Sequence, residues 1–497
     1  MGIQHKIGGC FRPPEKNYRF FLDCNYEWIT FNVYADEPSW FMMLIWDSSG
    51  VLRLQYLYGK APNTVVIHND KNMTSAAALP GKIPAGEWRI EVSGIGKDSS
   101  FNFCINIEGG FGKIKNLEQP QLIGDDLWAT YEPNMELFII NNYDWDKKYN
   151  QNKGWYKGDF HTHTNISDGK LTPHELLEQA KKQNLDFFVT TEHNIIHTGF
   201  PKSNILVIPG IEITDLKGHF NAIGIKKWID WTYDSEDGGI YTESGMNRVL
   251  SEAGTACAIR SINHPNLAPW SWEFKETLLE NIDTIEIWND PTFPGNNFMA
   301  TQQALELWDV LWRDGYNIWG IGGSDAHNFP SERYDGSELP SIIGDPGTFV
   351  FSDSLCATSI LKAVSMGRIY VSRGPIMEIT IKVGDYVLYP GCDLTDIIGI
   401  GAKQIYYKIK VNKFYKGCTV VWIENRVIVE KQEFLESCEI LRCFLWKGKT
   451  YKWLRVEIRD RNNRLLAFVN PIYKGTRNHK IVTWGQLIET SGGIKVD

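Results

Sequence analysis

Between about residues 154 and 373, short apolar runs alternate with stretches of helical periodicity, and this alternation limits the fold more than any other feature. Asp186-Phe187-Phe188-Val189-Thr190, Ile205-Leu206-Val207-Ile208, the run from Ala256 to Ile262, Thr284-Ile285-Glu286-Ile287 and Ile318-Trp319-Gly320-Ile321 read as buried strands. Thr172-Pro173 opens a helix, with Thr as its cap and Pro at the first helical position, and Leu176, Leu177 and Ala180 form its apolar stripe. Residues 298–313 carry Ala304, Leu307, Trp308, Leu311 and Trp312 at helical spacing, as a helix facing a core does. Strands and helices in this alternation predict a parallel α/β barrel.

On either side the pattern changes to strands alone. Before about residue 150, Phe41-Met42-Met43-Leu44-Ile45-Trp46, Trp88-Arg89-Ile90-Glu91-Val92 and the run from Phe101 to Ile107 are separated by turns such as Pro84-Ala85-Gly86. After Gly374, Met377 to Val383, Tyr406 to Val411 and Leu454 to Ile458 alternate in hydropathy. The expected organisation is an N-terminal β-sandwich (1–150), a barrel (151–373) and a C-terminal Ig-like β domain (374–497).

Charge and cysteines narrow the class. A net charge of -9 gives no basic footprint for nucleic acid. No apolar run approaches the length of a membrane span, and Met1-Gly2-Ile3-Gln4-His5-Lys6 lacks the apolar core of a secretory leader. Nine cysteines lie singly with no CxxC pair, as thiols in a reducing compartment do, so a cytoplasmic protein is expected. The expected partner is a small-molecule substrate, not nucleic acid or a membrane, and no oligomeric state is assigned.

The chemistry-bearing residues fall where the strands end. The first strand ends in His161-Thr162-His163, with Asp168 close behind, and histidines at i and i+2 point the same way. Later runs end in Glu192-His193, Glu212, His219, His264 and Ser324-Asp325-Ala326-His327. Parallel barrel strands gather their C-terminal ends around one opening. Nine nitrogen and oxygen ligands converging there, with no cysteine, describe a multinuclear site for Zn, Mn or Fe. His174 and His197 match no ligand position, and His174 reads as a surface residue. Lys170, Lys217, Arg260 and Arg373 are candidates to clamp an anion, with solvated or structural roles equally open.

This ordered set resembles the PHP (polymerase and histidinol phosphatase) superfamily over residues 154–373. Ile285-Glu286-Ile287-Trp288-Asn289, Trp308-Asp309, Ser372-Arg373-Gly374-Pro375 and Asn470-Pro471-Ile472-Tyr473 make it similar to the CehA/McbA (carbaryl hydrolase-like) branch. The resemblance implies a distorted (β/α)7 barrel and two or three divalent ions. His161, His163, Glu212 and Asp325 would hold the first. Glu212 would bridge to a second, held also by His219 and His264. Asp168, His193 and His327 would hold a third. Glu192 stands where the family has Asp, and Glu192 and Glu286 are the carboxylates expected to orient ligand histidines from behind.

The implied activity is hydrolysis by a metal-bridged hydroxide. Three cations match phosphoryl oxygens, which favours a phosphomonoesterase or phosphodiesterase. A carbamate, amide or ester hydrolase is the alternative, and Trp270, Trp272, Trp288 and Phe293 lie on stretches able to line its pocket. A non-catalytic binding module with a degenerate barrel is a third reading, opposed by the survival of all nine ligand types.

Overall fold

The computed structural model describes residues 2–11, 15–36, 40–94, 100–115, 117, 122–132, 138–232, 235–296, 298–413, 417–434 and 439–492. The N-terminal strands form two antiparallel four-stranded sheets. One orders Ile3–Phe11, Phe101–Gly110, Trp28–Ala35 and Thr64–His68; the other orders Glu15–Leu22, Gly86–Gly94, Phe41–Trp46 and Leu52–Tyr58. The unbroken apolar run Phe41–Trp46 has a physical reason: both its faces are covered. Phe41, Met43 and Ile45 face the partner sheet, whereas Met42 and Leu44 join the large core that includes the central strands.

The central strands lie in two sheets. The first holds nine strands, in the order Leu206–Ile208, Phe187–Val189, Gly154–Asp159, Gly347–Ser352, Ile369–Ser372, Leu465–Lys474, Lys452–Arg459, Cys418–Glu424 and Val427–Phe434. The second holds five: Gly210–Asp215, Gly218–Ile223, Ile259–Ile262, Thr284–Asn289 and Trp319–Gly323. Isolated parallel bridges, Thr162 to Ala326 and His193 to Glu212, join them.

This differs from the expected closed, parallel barrel. Gly210–Asp215, Gly218–Ile223 and Ile259–Ile262 pair antiparallel in succession, and so do Gly154–Asp159 and Gly347–Ser352. The chain itself enforces the reversal. Only Leu216 and Lys217 separate the Glu212 strand from the His219 strand, which leaves a hairpin and no room for a crossover helix. Gly218 takes φ +133°, and a β-carbon there would lie 2.9 Å from Trp272 Cα.

Helices Pro173–Lys182, Glu243–Thr255, Phe298–Asp314 and Ala357–Ser365 follow the central strands. The first has a complete capping box, Thr172 with Glu175, behind its Pro173. The nine-stranded sheet runs on past residue 373, because Tyr370 pairs with Val469. A four-stranded sheet of Tyr386–Leu388, Ile376–Val383, Ala402–Lys413 and Glu439–Lys447 shares a core with its far half through Ile379, Ile409, Trp422 and Val456. The eight described cysteines are free thiols, and no described helix is long and apolar enough to cross a membrane.

Candidate metal centre

The strand Gly154–Asp159 delivers its own anchor just before the first histidines. The buried Asp159 carboxylate accepts hydrogen bonds from the backbone N–H of His161 (3.1 Å), Ser324 (3.0 Å) and Gly344 (2.6 Å), fixing two site loops to one strand end. The loops are tightly drawn. A β-carbon at Gly323 would lie 2.5 Å from Glu286 Oε1, so glycine alone fits there. His264 and Asp325 hold φ values of +28° and +48°, which non-glycine residues rarely adopt.

All nine candidate ligands meet at this end of the strands. His161 Nε2 lies 3.2 Å from both Glu212 Oε1 and Asp325 Oδ1. His163 Nε2 is 3.1 Å from Asp325 Oδ1 and 3.5 Å from Glu212 Oε2. On one side, His193 Nδ1 and His219 Nδ1 approach Glu212 at 2.8 and 3.1 Å, with His264 Nε2 farther away at 3.8 Å. On the other, Asp168 Oδ1 is 3.1 Å from His327 Nε2, 3.4 Å from His193 Nε2 and 3.8 Å from His163 Nδ1. Three groups have ligand atoms mutually within 4.8 Å: His163 with Asp168, His193 and His327; His161 with His163 and Glu212; and His193 with Glu212 and His219.

The residues fit divalent cations on two counts. His161 Nε2, both ring nitrogens of His163, Asp168 Oδ1, Glu212 Oε2 and His264 Nδ1 are buried without a hydrogen bond. Such atoms are costly unless something occupies the space they face. Their spacing also matches: ligands about 2.0–2.2 Å from one tetrahedral ion stand roughly 3.3–3.6 Å apart. The charged groups interact strongly with one another. Burial pushes the Glu212, Asp325 and Asp168 carboxyls up, but facing histidines outweigh it and hold all three well below the usual range. Burial opposes charge on the histidines too; carboxylates still raise His161, His193 and, to about 9, His327, whereas burial takes His219 down to about 4.

A set of polar neighbours orients these groups. Glu286 stands 3.2 Å from His161 Nδ1, which turns the other ring nitrogen toward Glu212 and Asp325. Its other oxygen accepts from His264 N–H (2.9 Å) and from Asn289 Nδ2 (3.0 Å), and Asn289 Nδ2 also reaches Asp325 Oδ2 at 3.2 Å. Asn263 Nδ2 donates to Glu212 Oε1 at 2.8 Å, and Thr214 Oγ1 meets His193 Nδ1 at 2.6 Å.

Glu192 sits elsewhere than expected. Its carboxylate does not turn toward the adjacent His193. It binds Thr164 N–H (3.0 Å), Thr164 Oγ1 (2.5 Å), Ser167 Oγ and His197 Nε2 (3.0 Å). The extra methylene lets it span the 164–167 turn, so it shapes the loop between His163 and Asp168. His197, which matches no family ligand position, is its buried partner, and His174 is exposed.

Asn263, Thr214 and Asp159 went unread in the sequence, since single polar residues at strand ends carry no spacing signal. Trp40 is a further case. It comes from the N-terminal strands, yet its ring packs edge-on against His193 with centroids 5.7 Å apart. Gln55 of the same sheet exchanges two hydrogen bonds with the Ile196 backbone, at 3.1 and 3.2 Å. The candidate anion clamps are engaged locally: Lys170 with Glu332 (2.6 Å), Arg260 with Asp283 (2.8 Å) and Arg373 with Asp345 (3.0 Å). Lys217 Nζ lies over Phe274 at 5.6 Å. Trp272 and Trp288 are buried, whereas Trp270 is 38% exposed and packs on Phe293.

No protein-family model and no curated protein matches the chain. Among solved structures, it is similar at 16% identity and a TM-score of 0.33 to a two-domain protein from Bacteroides vulgatus ATCC 8482, described as containing a predicted PHP-like metal-dependent phosphoesterase; the match covers 66% of this chain and 97% of that one. An amidohydrolase from Chromobacterium violaceum, with bound sulfate and no metal, is similar at 13% identity and a TM-score of 0.22, over 37% of this chain and 93% of that one.

Proposed function

We propose that the protein is a metal-dependent hydrolase of the PHP type, acting on a small-molecule phosphoester at the site built by His161, His163, Asp168, His193, Glu212, His219, His264, Asp325 and His327. The observation that carries this reading is the convergence of buried, unbonded ligand atoms in three adjoining groups. Two or three ions of Zn, Mn or Fe held there would acidify a water and draw off charge from the reacting oxygens. The chain's own residues do the rest. Glu286 holds the His161 ring, Asn289 holds one oxygen of Asp325, and Asn263 holds one oxygen of Glu212, so each offers a fixed lone pair. Glu192 and His197 keep the turn that carries Asp168 closed.

A second reading, hydrolysis of a carbamate, amide or ester, is favoured by Trp40 on His193 and by the carboxylate partners of Lys170, Arg260 and Arg373. The branch resembling carbaryl hydrolase belongs with that reading. The deciding experiment loads the protein with Mn or Zn and compares p-nitrophenyl phosphate, its bis-ester and an aryl carbamate, with and without chelator. Chelator-sensitive phosphoester turnover is the expected result. Carbamate turnover alone would replace it with the second reading, and failure to bind either metal would refute both.

A further inference from the structure

A cavity of about 1060 Å³ opens between the central strands and the C-terminal sheet. None of the nine candidate ligands lines it. Its walls carry four cations, Lys157, Arg373, Arg461 and Arg464, against two carboxylates, Asp345 and Asp460, in a chain whose net charge is -9. Both carboxylates are already engaged. Asp345 faces Arg373 at 3.0 Å, and Asp460 binds Arg464 Nε (2.7 Å) together with the N–H groups of Asn462 (2.9 Å) and Arg464 (2.8 Å) in its own turn. Arg461 forms no ion pair among the described residues and extends along the Gly417 backbone, where any side chain would collide with it. The lining therefore keeps two more cations than carboxylates, and a concave wall concentrates such a field. Guanidinium groups supply paired N–H donors that match the oxygens of phosphate, sulfate and carboxylate.

The cavity also reaches the metal-binding candidates through side chains. Asn296 lines it and donates to Asn289 Oδ1 at 3.2 Å, and Asn289 Nδ2 in turn lies 3.2 Å from Asp325 Oδ2.

We propose that this cavity is a separate binding site for a small polyanion, one bearing several phosphate, sulfate or carboxylate groups, with Arg461 and Arg464 as its cationic wall. The inference stands on the cavity's own charge and shape and is independent of the proposed hydrolysis.

The test is titration calorimetry of the full chain with sucrose octasulfate at low ionic strength, alongside amide exchange with and without that probe. Saturable one-to-one binding is expected, weakened at least tenfold in the exposed-residue variant R461E/R464E and unchanged in the control K403E/K431E. Exchange should slow over residues 339–346 and 460–466. The absence of saturable heat would overturn the proposal. An equal loss in the control variant would do the same, since it would mean diffuse attraction. So would protection confined to residues 161–169 and 325–327, which would place the probe at the histidine cluster.

Discussion

Two buried clusters of charge in this molecule are built on different principles. In one, Arg455 takes both oxygens of Asp309 (2.6 and 3.1 Å) and also binds Glu457, while Arg459 binds Glu457 (2.5 Å), Gln302 (3.1 Å) and the Asn463 carbonyl (2.8 Å). Two guanidinium groups meet two carboxylates, and all four side chains are buried with their hydrogen bonds made. In the other, three carboxylates and six histidines crowd together with key atoms unbonded. The first cluster is finished by the chain alone. The second leaves buried ligand atoms unbonded, so the two differ in whether their hydrogen bonding is complete.

That contrast can be broken most severely at His161. H161A should cost on the order of 10³-fold or more in turnover, because one ligand of the shared centre is gone, while far-ultraviolet circular dichroism stays unchanged. A fully active H161A protein would show that the unbonded cluster is not the working site. At the other cluster the loss should appear in folding instead. D309N strands Arg455 in the core and should lower unfolding free energy by about 3–5 kcal/mol in denaturant titration, with metal content preserved. A change under about 1 kcal/mol would mean the network is not the closed unit described.

Metal removal comes next in size. At an ion concentration about 100 times Kd, the folded state should gain about 2.7 kcal/mol, seen as a rise in thermal midpoint on adding Mn or Zn. E286Q should weaken metal affinity by roughly 10–100-fold, through the freed His161 ring. The same ions should leave the thermal midpoint of a Glu212→Gln variant nearly unmoved.

The arginine cluster also makes a pH prediction. Burial pushes the Glu457 carboxyl up, but Arg455 and Arg459 outweigh it and hold it below its ordinary 4.5. A carboxyl lowered in the folded state stabilises the fold above its ordinary value, and that gain is lost as pH falls through the folded value. The thermal midpoint should therefore drop between about pH 5 and pH 3, and less steeply in E457Q than in the parent. The smallest expected effect belongs to Trp40: W40A should raise KM up to about tenfold with kcat little changed, the scale of one aromatic contact.

His161, His163, His193, His264, Asp325 and His327 were legible because they follow the ends of apolar strands, whereas Glu212 lies inside the strand Gly210–Asp215 and His219 at the start of the next. Local pattern gave the central strands but not their directions: only the shortness of Leu216-Lys217 reveals the Glu212–His219 hairpin, and its outcome is antiparallel. Glu192 shows the limit of reading by neighbourhood, since it adjoins His193 in sequence and serves Thr164, Ser167 and His197 in space. Trp40 and Gln55 lie in a stretch whose pattern reads only as a self-contained sheet. Their contacts depend on tertiary packing, which local periodicity does not encode.

The pairing of Tyr370 with Val469 sets an order of events during synthesis. The strand Ile369–Ser372 leaves the ribosome with one neighbour, Gly347–Ser352, and an unfilled edge on its other side. That edge closes only when Leu465–Lys474, much later in the chain, emerges. Until then the growing chain exposes a row of unpaired backbone groups beside the histidine-bearing strands, the kind of edge that recruits a chaperone or a second nascent copy. The sheet whose strand Gly154–Asp159 leads into His161 and His163 is thus completed only after those residues have long been made.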